Sequence, residues 1–365
     1  MRAEPVEARP STGSGGSRVV LAPDKFKGCL PAAEVAAAVA RGVRSARPEA
    51  ETVLVPVADG GDGTVAAAVS AGWSEVVVDA VGPTGERVRA AYARLGHRAV
   101  VELAEVVGLD RLPDRRLDPL GASTFGLGLV IREAVAAGAT EIVLGLGGSA
   151  STDGGAGMVQ ALGARLDAPT RLLDDVRVTV ATDVDSPLLG PMGAAAVFGP
   201  QKGASPEQVA VLEDRLTRWA EVVAEATGRD LSGTPGAGAA GGTGFAALAL
   251  LGATVRPGIE VVLELVGFAE RVAGADLVVT GEGSLDAQSL AGKAPIGVAR
   301  ATAAYGVPVV AVAGRRRLAD ADLQRAGIAA AYPLSDLEPD PAQSIARAAE
   351  LLEVTGSRIA EAWLR

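Results

Sequence analysis

Five times along this chain a strand-length apolar run ends in a loop rich in glycine and charged residues. At the first, a strand over 19–22 leads through such a loop into an Ala-rich helix over 31–47. Val35, Val39 and Val43 sit at helical spacing there, and a second strand follows over 52–57. A strand–helix–strand unit returns the chain by a right-handed crossover, so it dictates a parallel sheet covered by helices. In such sheets ligands bind beyond the carboxyl ends of the strands, where these loops fall.

The grammar changes after a short helix over 64–71. Three strands, over 75–81, 87–95 and 98–103, are joined only by the turns Gly82-Pro83-Thr84-Gly85 and Gly96-His97. That is an antiparallel meander. Crossover grammar returns with strands over 140–146 and 177–181 and a long helix over 206–227. The stretch PGAGAAGGTG over 235–244 suits a tight loop or a linker. A strand over 276–280, a helix over 294–305 and a strand over 308–313 follow, and an amphipathic helix over 341–364 closes the chain. The expected fold class is α/β. A discontinuous Rossmann-like parallel-sheet domain takes residues 18–62 plus 275–365, and a second α/β domain of mixed sheet, 63–274, is inserted into it. Residues 1–17 lack the apolar segment of a secretory signal and read as a disordered tail.

Composition narrows the chemistry. With 34 basic against 44 acidic residues and a net charge of −10, no general nucleic-acid footprint is expected. One cysteine, Cys29, and one histidine, His97, exclude a disulfide framework and a metal site built on several imidazoles or thiolates. Cys29 reads as a packing residue and His97 as a surface turn residue. No apolar run approaches the roughly 18 residues of a membrane span, so a cytoplasmic protein is expected. The chain has no Asn and only four Lys, at 25, 27, 202 and 293. This pattern suits a coding bias toward Arg. The four surviving Lys then mark positions where a compact ammonium is needed, and all four fall in the Gly-rich loops.

The first loop, Ala22-Pro23-Asp24-Lys25-Phe26-Lys27-Gly28-Cys29, suits a phosphate or carboxylate. An ordinary solvated loop is the plainer alternative. The second, Asp59-Gly60-Gly61-Asp62-Gly63, offers oxygen ligands of the kind Mg²⁺ takes, though Asp and Gly are turn residues in any case. The third, GLGGSASTDGG over 145–155, contains a formal G-x-G-x-x-A, with Asp167 at the distance of a ribose partner. Ser149, Ser151, Thr152 and Asp153 intervene before any helix, so it reads better as a polar cradle than as a nicotinamide site. The fourth carries Asp183 and Asp185, with Lys202 following. The fifth runs Gly281-Glu282-Gly283-Ser284-Leu285-Asp286 and then Gly292-Lys293. Ala287 stands where a Walker A loop requires its first Gly. Glycine loops, lysines and scattered carboxylates without His or Cys fit phosphoryl transfer, which needs positioning, cations and at most one carboxylate base.

At these residues the chain resembles the type I glycerate kinases. APDKFKG, PVADGGDGT, GLGGSASTDGGAGM, ATDVDSPLLGP, FGPQKGA, PGIE and TGEGSLDAQSLAGKAPIGVA occur in order over about 18–364. The resemblance implies phosphorylation of D-glycerate with ATP and Mg²⁺, on a Rossmann-like domain with an inserted α/β domain. Lys25 stands where family members often have Ser. On this reading Asp183 takes the substrate hydroxyl proton. Lys25, Lys27 and Lys293 neutralise phosphates and the glycerate carboxylate. Asp59, Asp62 and Asp185 hold or orient Mg²⁺. Gly60, Gly61, Gly147, Gly148, Ser149, Asp153, Gly281, Glu282, Gly283 and Asp286 line the substrate and phosphate sites. A kinase for another short hydroxy acid and a non-catalytic anion- or nucleotide-binding protein are the rival readings. Neither nucleic acid nor membrane is an expected partner, and a homo-oligomer is compatible with the sequence.

Overall fold

A computed structural model describes residues 16–164, 173 and 175–365. Residues 1–15, most of the expected tail, and Asp167 of the dinucleotide fingerprint lie outside the described residues. Among the described residues eleven strands form two sheets. The first has the order β11-β10-β9-β1-β2 and is parallel throughout. Its strands are β1 (Arg18–Pro23), β2 (Glu51–Leu54), β9 (Leu277–Leu285), β10 (Val309–Arg316) and β11 (Ala330–Pro333). The runs VVLA, LVVT and VVAVA carry no polar alternation, as a strand buried on both faces requires. One face packs Val19 and Leu21 with Val35, Val39, Leu352 and Ile359 of the helices Ala32–Ala46 and Ala348–Trp363. The other packs Val20 and Val278 with Val262, Phe268 and Ile296.

The second sheet has the order β3-β4-β5-β6-β7-β8. The meander β3 (Ser74–Val81), β4 (Arg87–Leu95) and β5 (Arg98–Glu102) is antiparallel. From β5 onward, β6 (Glu141–Gly145), β7 (Arg177–Ala181) and β8 (Thr254–Arg256) add in parallel. The larger core lies on the face covered by the helices Phe125–Ala136, Pro206–Thr227 and Ala239–Leu250. The helices Thr64–Ser70 and Gly258–Leu265 cover the other face. The architecture is thus the expected parallel sheet with a second, mixed one. We propose residues 18–62 plus 275–365 and residues 63–274 as the two domains.

Three local expectations change. β9 runs on to Leu285 instead of stopping at residue 280, because Glu282, Ser284 and Leu285 pair with Ala313, Arg315 and Arg316 of β10. The closing helix is two helices, Pro341–Ala346 and Ala348–Trp363, with the backbone leaving helical values at Arg347. The 235–244 stretch is no linker. Ala240, Gly241 and Gly242 take left-handed values and fold the chain into a buried helix start. Among the described residues no helix is long and apolar enough to cross a membrane.

Candidate active site

The carboxyl ends of the two sheets' strands meet, and glycine makes the meeting possible. After β2 the chain runs across to the second sheet through Asp59-Gly60-Gly61-Asp62-Gly63. A Cβ on Gly60 would stand 2.5 Å from the Cα of Gly258, and one on Gly258 would stand 1.8 Å from the Asp59 carbonyl oxygen. A Cβ on Gly147 would stand 2.6 Å from the Cα of Gly61. Real Cβ atoms never approach so closely, so backbone rests on backbone here. The loop is thereby held against the ends of β6 and β7.

Charged groups gather along this seam. Asp183 follows β7, and its Oδ1 accepts the Gly258 N–H at 2.8 Å, while Oδ2 has no hydrogen-bond partner among the described residues. The side chain is open to solvent. Partial desolvation by the surrounding chain pushes its carboxyl up to about 6, with Asp59 and Asp185 adding to the rise and the Gly258 N–H and Lys293 opposing it. Asp24 closes β1 and is buried, and burial raises it to about 7 against the pull of Lys25. Burial also raises Glu282, whose Oε1 has no hydrogen-bond partner among the described residues. Among the described residues Lys293 Nζ reaches only Gln288 Oε1, at 3.2 Å, and Lys27 is exposed. Lys25 Nζ donates to the Asp62 carbonyl oxygen at 2.6 Å and lies 3.5 Å from Asp24 and 3.8 Å from the Asp62 carboxylate.

Several expected site residues serve other ends. Asp153 caps two helices: Oδ2 accepts from the N–H and hydroxyl of Thr124, both at 2.8 Å, and from Gly157, while Oδ1 accepts from Gly155. Ser149 is buried and bonded to Ser151. Much of the 145–155 cradle is spent internally, since the N–H groups of Ala150, Ser151, Gly154 and Gly155 already have acceptors. Those of Gly147, Gly148, Ser149, Thr152 and Asp153 lack a partner among the described residues. Gly281, Glu282 and Gly283 form no loop but the extended end of β9. Gly281 is glycine because a Cβ would meet the Val312 carbonyl oxygen at 2.3 Å. Asp286 binds the N–H of Gln288 and the Ser284 hydroxyl, and these with Lys293 hold its carboxyl below the usual range despite burial. Asp59, Asp62 and Asp185 are not a preformed cage, because among the described residues no three carboxylates, thiols or imidazoles converge on a metal-sized point. Lys202 is buried, donating to the Ser151 carbonyl and to Thr152 Oγ1, and burial brings its ammonium down to about 7.

Two site residues escaped sequence reasoning. Asp24 stands in the first loop, where Lys25 and Lys27 are the stronger sequence signal. Glu102 ends the apolar β5 run, and a carboxylate closing a buried strand was its signal. Its Oε1 and Oε2 accept the N–H groups of Gly63 and Val65, both at 3.0 Å. Burial raises its carboxyl to about 7. A separate cavity of about 230 Å³ beside Trp73 is lined by Arg98, Arg177 and Arg256. These arginines are already paired with Glu141 and Glu264, so the cavity offers no reactive group.

The sequence profile of the glycerate kinase family matches residues 19–174 and 166–364. The chain is 41% identical over 369 residues to a glycerate kinase of Bacillus subtilis, covering 94% of this chain and 97% of that protein. It is 43% identical over 323 residues to a glycerate 2-kinase of Escherichia coli, covering 81% and 85%. A crystal structure assigned to a glycerate kinase 2 of Salmonella typhimurium superposes with a TM-score of 0.79 at 38% identity, over 95% of this chain and 98% of that one.

Proposed function

The chain belongs to the glycerate kinase family, and from that premise we propose that it transfers the terminal phosphoryl group of ATP to a hydroxyl of D-glycerate, as a cytoplasmic enzyme. The observation that carries the mechanism is Asp183, a strand-end carboxylate with one oxygen free and Lys293 nearby. A base is most effective when its pKa lies near the working pH, and about 6 meets that condition. Asp183 Oδ2 takes the proton of the attacking hydroxyl. The freed oxygen bonds to the terminal phosphorus, and the bridging P–O bond breaks to release ADP. Lys293 and Lys27 face the phosphates and the glycerate carboxylate. The unpartnered N–H groups of Gly147, Gly148 and Ser149 suit phosphate oxygens.

Magnesium fits the donor set. The orphaned Glu282 oxygen, with Asp59 near enough to interact with its charge, supplies hard oxygen ligands without forming a complete cage. Mg²⁺ is commonly held by one or two carboxylates together with substrate phosphates. When bound it neutralises charge on the transferring phosphoryl group. The name of the Escherichia coli relative directs the proposal to the 2-hydroxyl.

Phosphorus NMR of a mixture of protein, ATP, Mg²⁺ and D-glycerate tests the reaction and its regiochemistry together. A new phosphomonoester at the 2-position, lost on chelation with EDTA, is the expected result. Ester formation undiminished in excess EDTA would remove magnesium from the reading. An ester formed with another hydroxy acid but not with glycerate would overturn the substrate.

A further inference from the structure

One peptide group in the site is gripped at both ends by opposite charges. The Asp62–Gly63 peptide presents its carbonyl oxygen to Lys25 Nζ at 2.6 Å and its N–H to Glu102 Oε1 at 3.0 Å. Lys25 follows β1 of the first sheet, and Glu102 ends β5 of the second. We propose that Lys25 and Glu102 are positioning residues that clamp this peptide between them and so hold the 59–63 loop in one orientation across the two sheets. The link to catalysis rests on the kinase reading; the clamp itself does not.

The need for a clamp follows from Gly63. Its φ of +94° is a left-handed value. Glycine visits positive and negative φ about equally, so nothing intrinsic fixes the peptide before it. If that peptide turned over, its carbonyl would face the Glu102 carboxylate and its N–H would face the Lys25 ammonium. Both contacts would be repulsive. In the observed orientation both are charge-assisted, roughly twice the strength of neutral hydrogen bonds. Glu102 Oε2 extends the grip to the Val65 N–H and so fixes the first turn of the helix Thr64–Ser70. Lys25 is kept in place by Asp24 at 3.5 Å and by the Asp62 carboxylate at 3.8 Å. Its ammonium is thus committed to the protein rather than offered to a substrate.

The test needs two readouts. Amide hydrogen exchange of the segment 60–66 should quicken about tenfold or more in Lys25→Met, with the helix Ala348–Trp363 unchanged, because loss of one grip frees a local opening. Lys25→Met and Glu102→Gln should each lower kcat about tenfold, with both KM values within about threefold of wild type, and the double variant should be no worse than the poorer single one. Unchanged exchange in Lys25→Met overturns the clamp, as do losses that multiply in the double variant. A raised KM in Lys25→Met alone also overturns it, since Lys25 would then be touching substrate. If Glu102→Gln does not fold, the exchange result decides. An absence of wild-type turnover would count against the kinase reading and leave the exchange test standing.

Discussion

Asp183 has two employments that one substitution separates. Its Oδ1 secures the Gly258 N–H at the start of a helix, and its Oδ2 is free for a proton. Asn keeps the acceptor and the size but cannot serve as a base. Asp183→Asn should therefore lower kcat by roughly 10²–10⁴, the usual worth of general acid–base catalysis, with little change in melting temperature. In the wild type kcat/KM should fall as pH drops through about 6, because the base must be ionised to accept the proton. A residue that only holds the loop would show the reverse: a lower melting temperature with kcat kept. At this scale the sequence singles out Asp183 as the candidate base, because strand-end carboxylates in parallel sheets face ligands. It was a poor guide to Asp153. Nothing local distinguishes a catalytic carboxylate from one that caps two helices, and the Thr124 and Gly157 donors come from separate parts of the chain.

The glycines that look alike in sequence do different work in the elements. Gly258, at the first position of the helix Gly258–Leu265, has no room for a Cβ, which would lie 1.8 Å from the Asp59 carbonyl oxygen. Gly72 has a φ of +102° but open space around its Cβ position. Gly258→Ala should push the Asp59 loop and the Asp183 hydrogen bond apart. A displacement of about 1 Å at such a site costs on the order of 10² in kcat/KM, beside a stability loss of roughly 1–3 kcal/mol from overpacking. Gly72→Ala should lose roughly 1–2 kcal/mol to left-handed strain and keep its kcat/KM. Equal activity in the two variants would show that the close backbone contact has no part in the site. The strand–loop–helix order was legible because apolar periodicity is local. The extension of β9 through Gly281–Leu285 was not, since GEGS reads as turn chemistry and only pairing with β10 makes it a strand. The break at Arg347 lies inside an unbroken amphipathic pattern, and no residue there announces it.

Over the whole molecule, bringing two sheets together by their carboxyl ends concentrates acid groups that water would otherwise solvate. The change of grammar near residue 63 made two sheets legible. How those sheets meet was not, because it depends on contacts between glycines up to about two hundred residues apart, Gly60 with Gly258 among them. The concentration has a thermodynamic signature. Asp24 titrates near 7 when folded, against an ordinary value of 3.8. Between those values the folded chain binds more protons than the unfolded one, so stability from this group falls as pH rises from about 4 to about 7 and is level beyond. Glu102 acts in the same sense, with 4.5 raised to about 7. Lys202 acts in the opposite sense in a higher window. Its folded value of about 7 lies below the ordinary 10.5, so its contribution to stability grows as pH rises from about 7 to about 10.5. Other carboxylates slope the curve too, so the informative quantity is a difference between proteins. Asp24→Asn keeps an acceptor for the Lys25 N–H, now bonded to Asp24 Oδ1 at 2.6 Å, and removes the titration. Calorimetric melting of both proteins from pH 4.5 to 9 should show the variant gaining on the wild type as pH rises to about 7, then holding a constant lead. The gain should be on the order of a few degrees. A difference that stays flat across this range would mean that Asp24 titrates in the folded chain as it does in water, and that the seam does not force its carboxylates together.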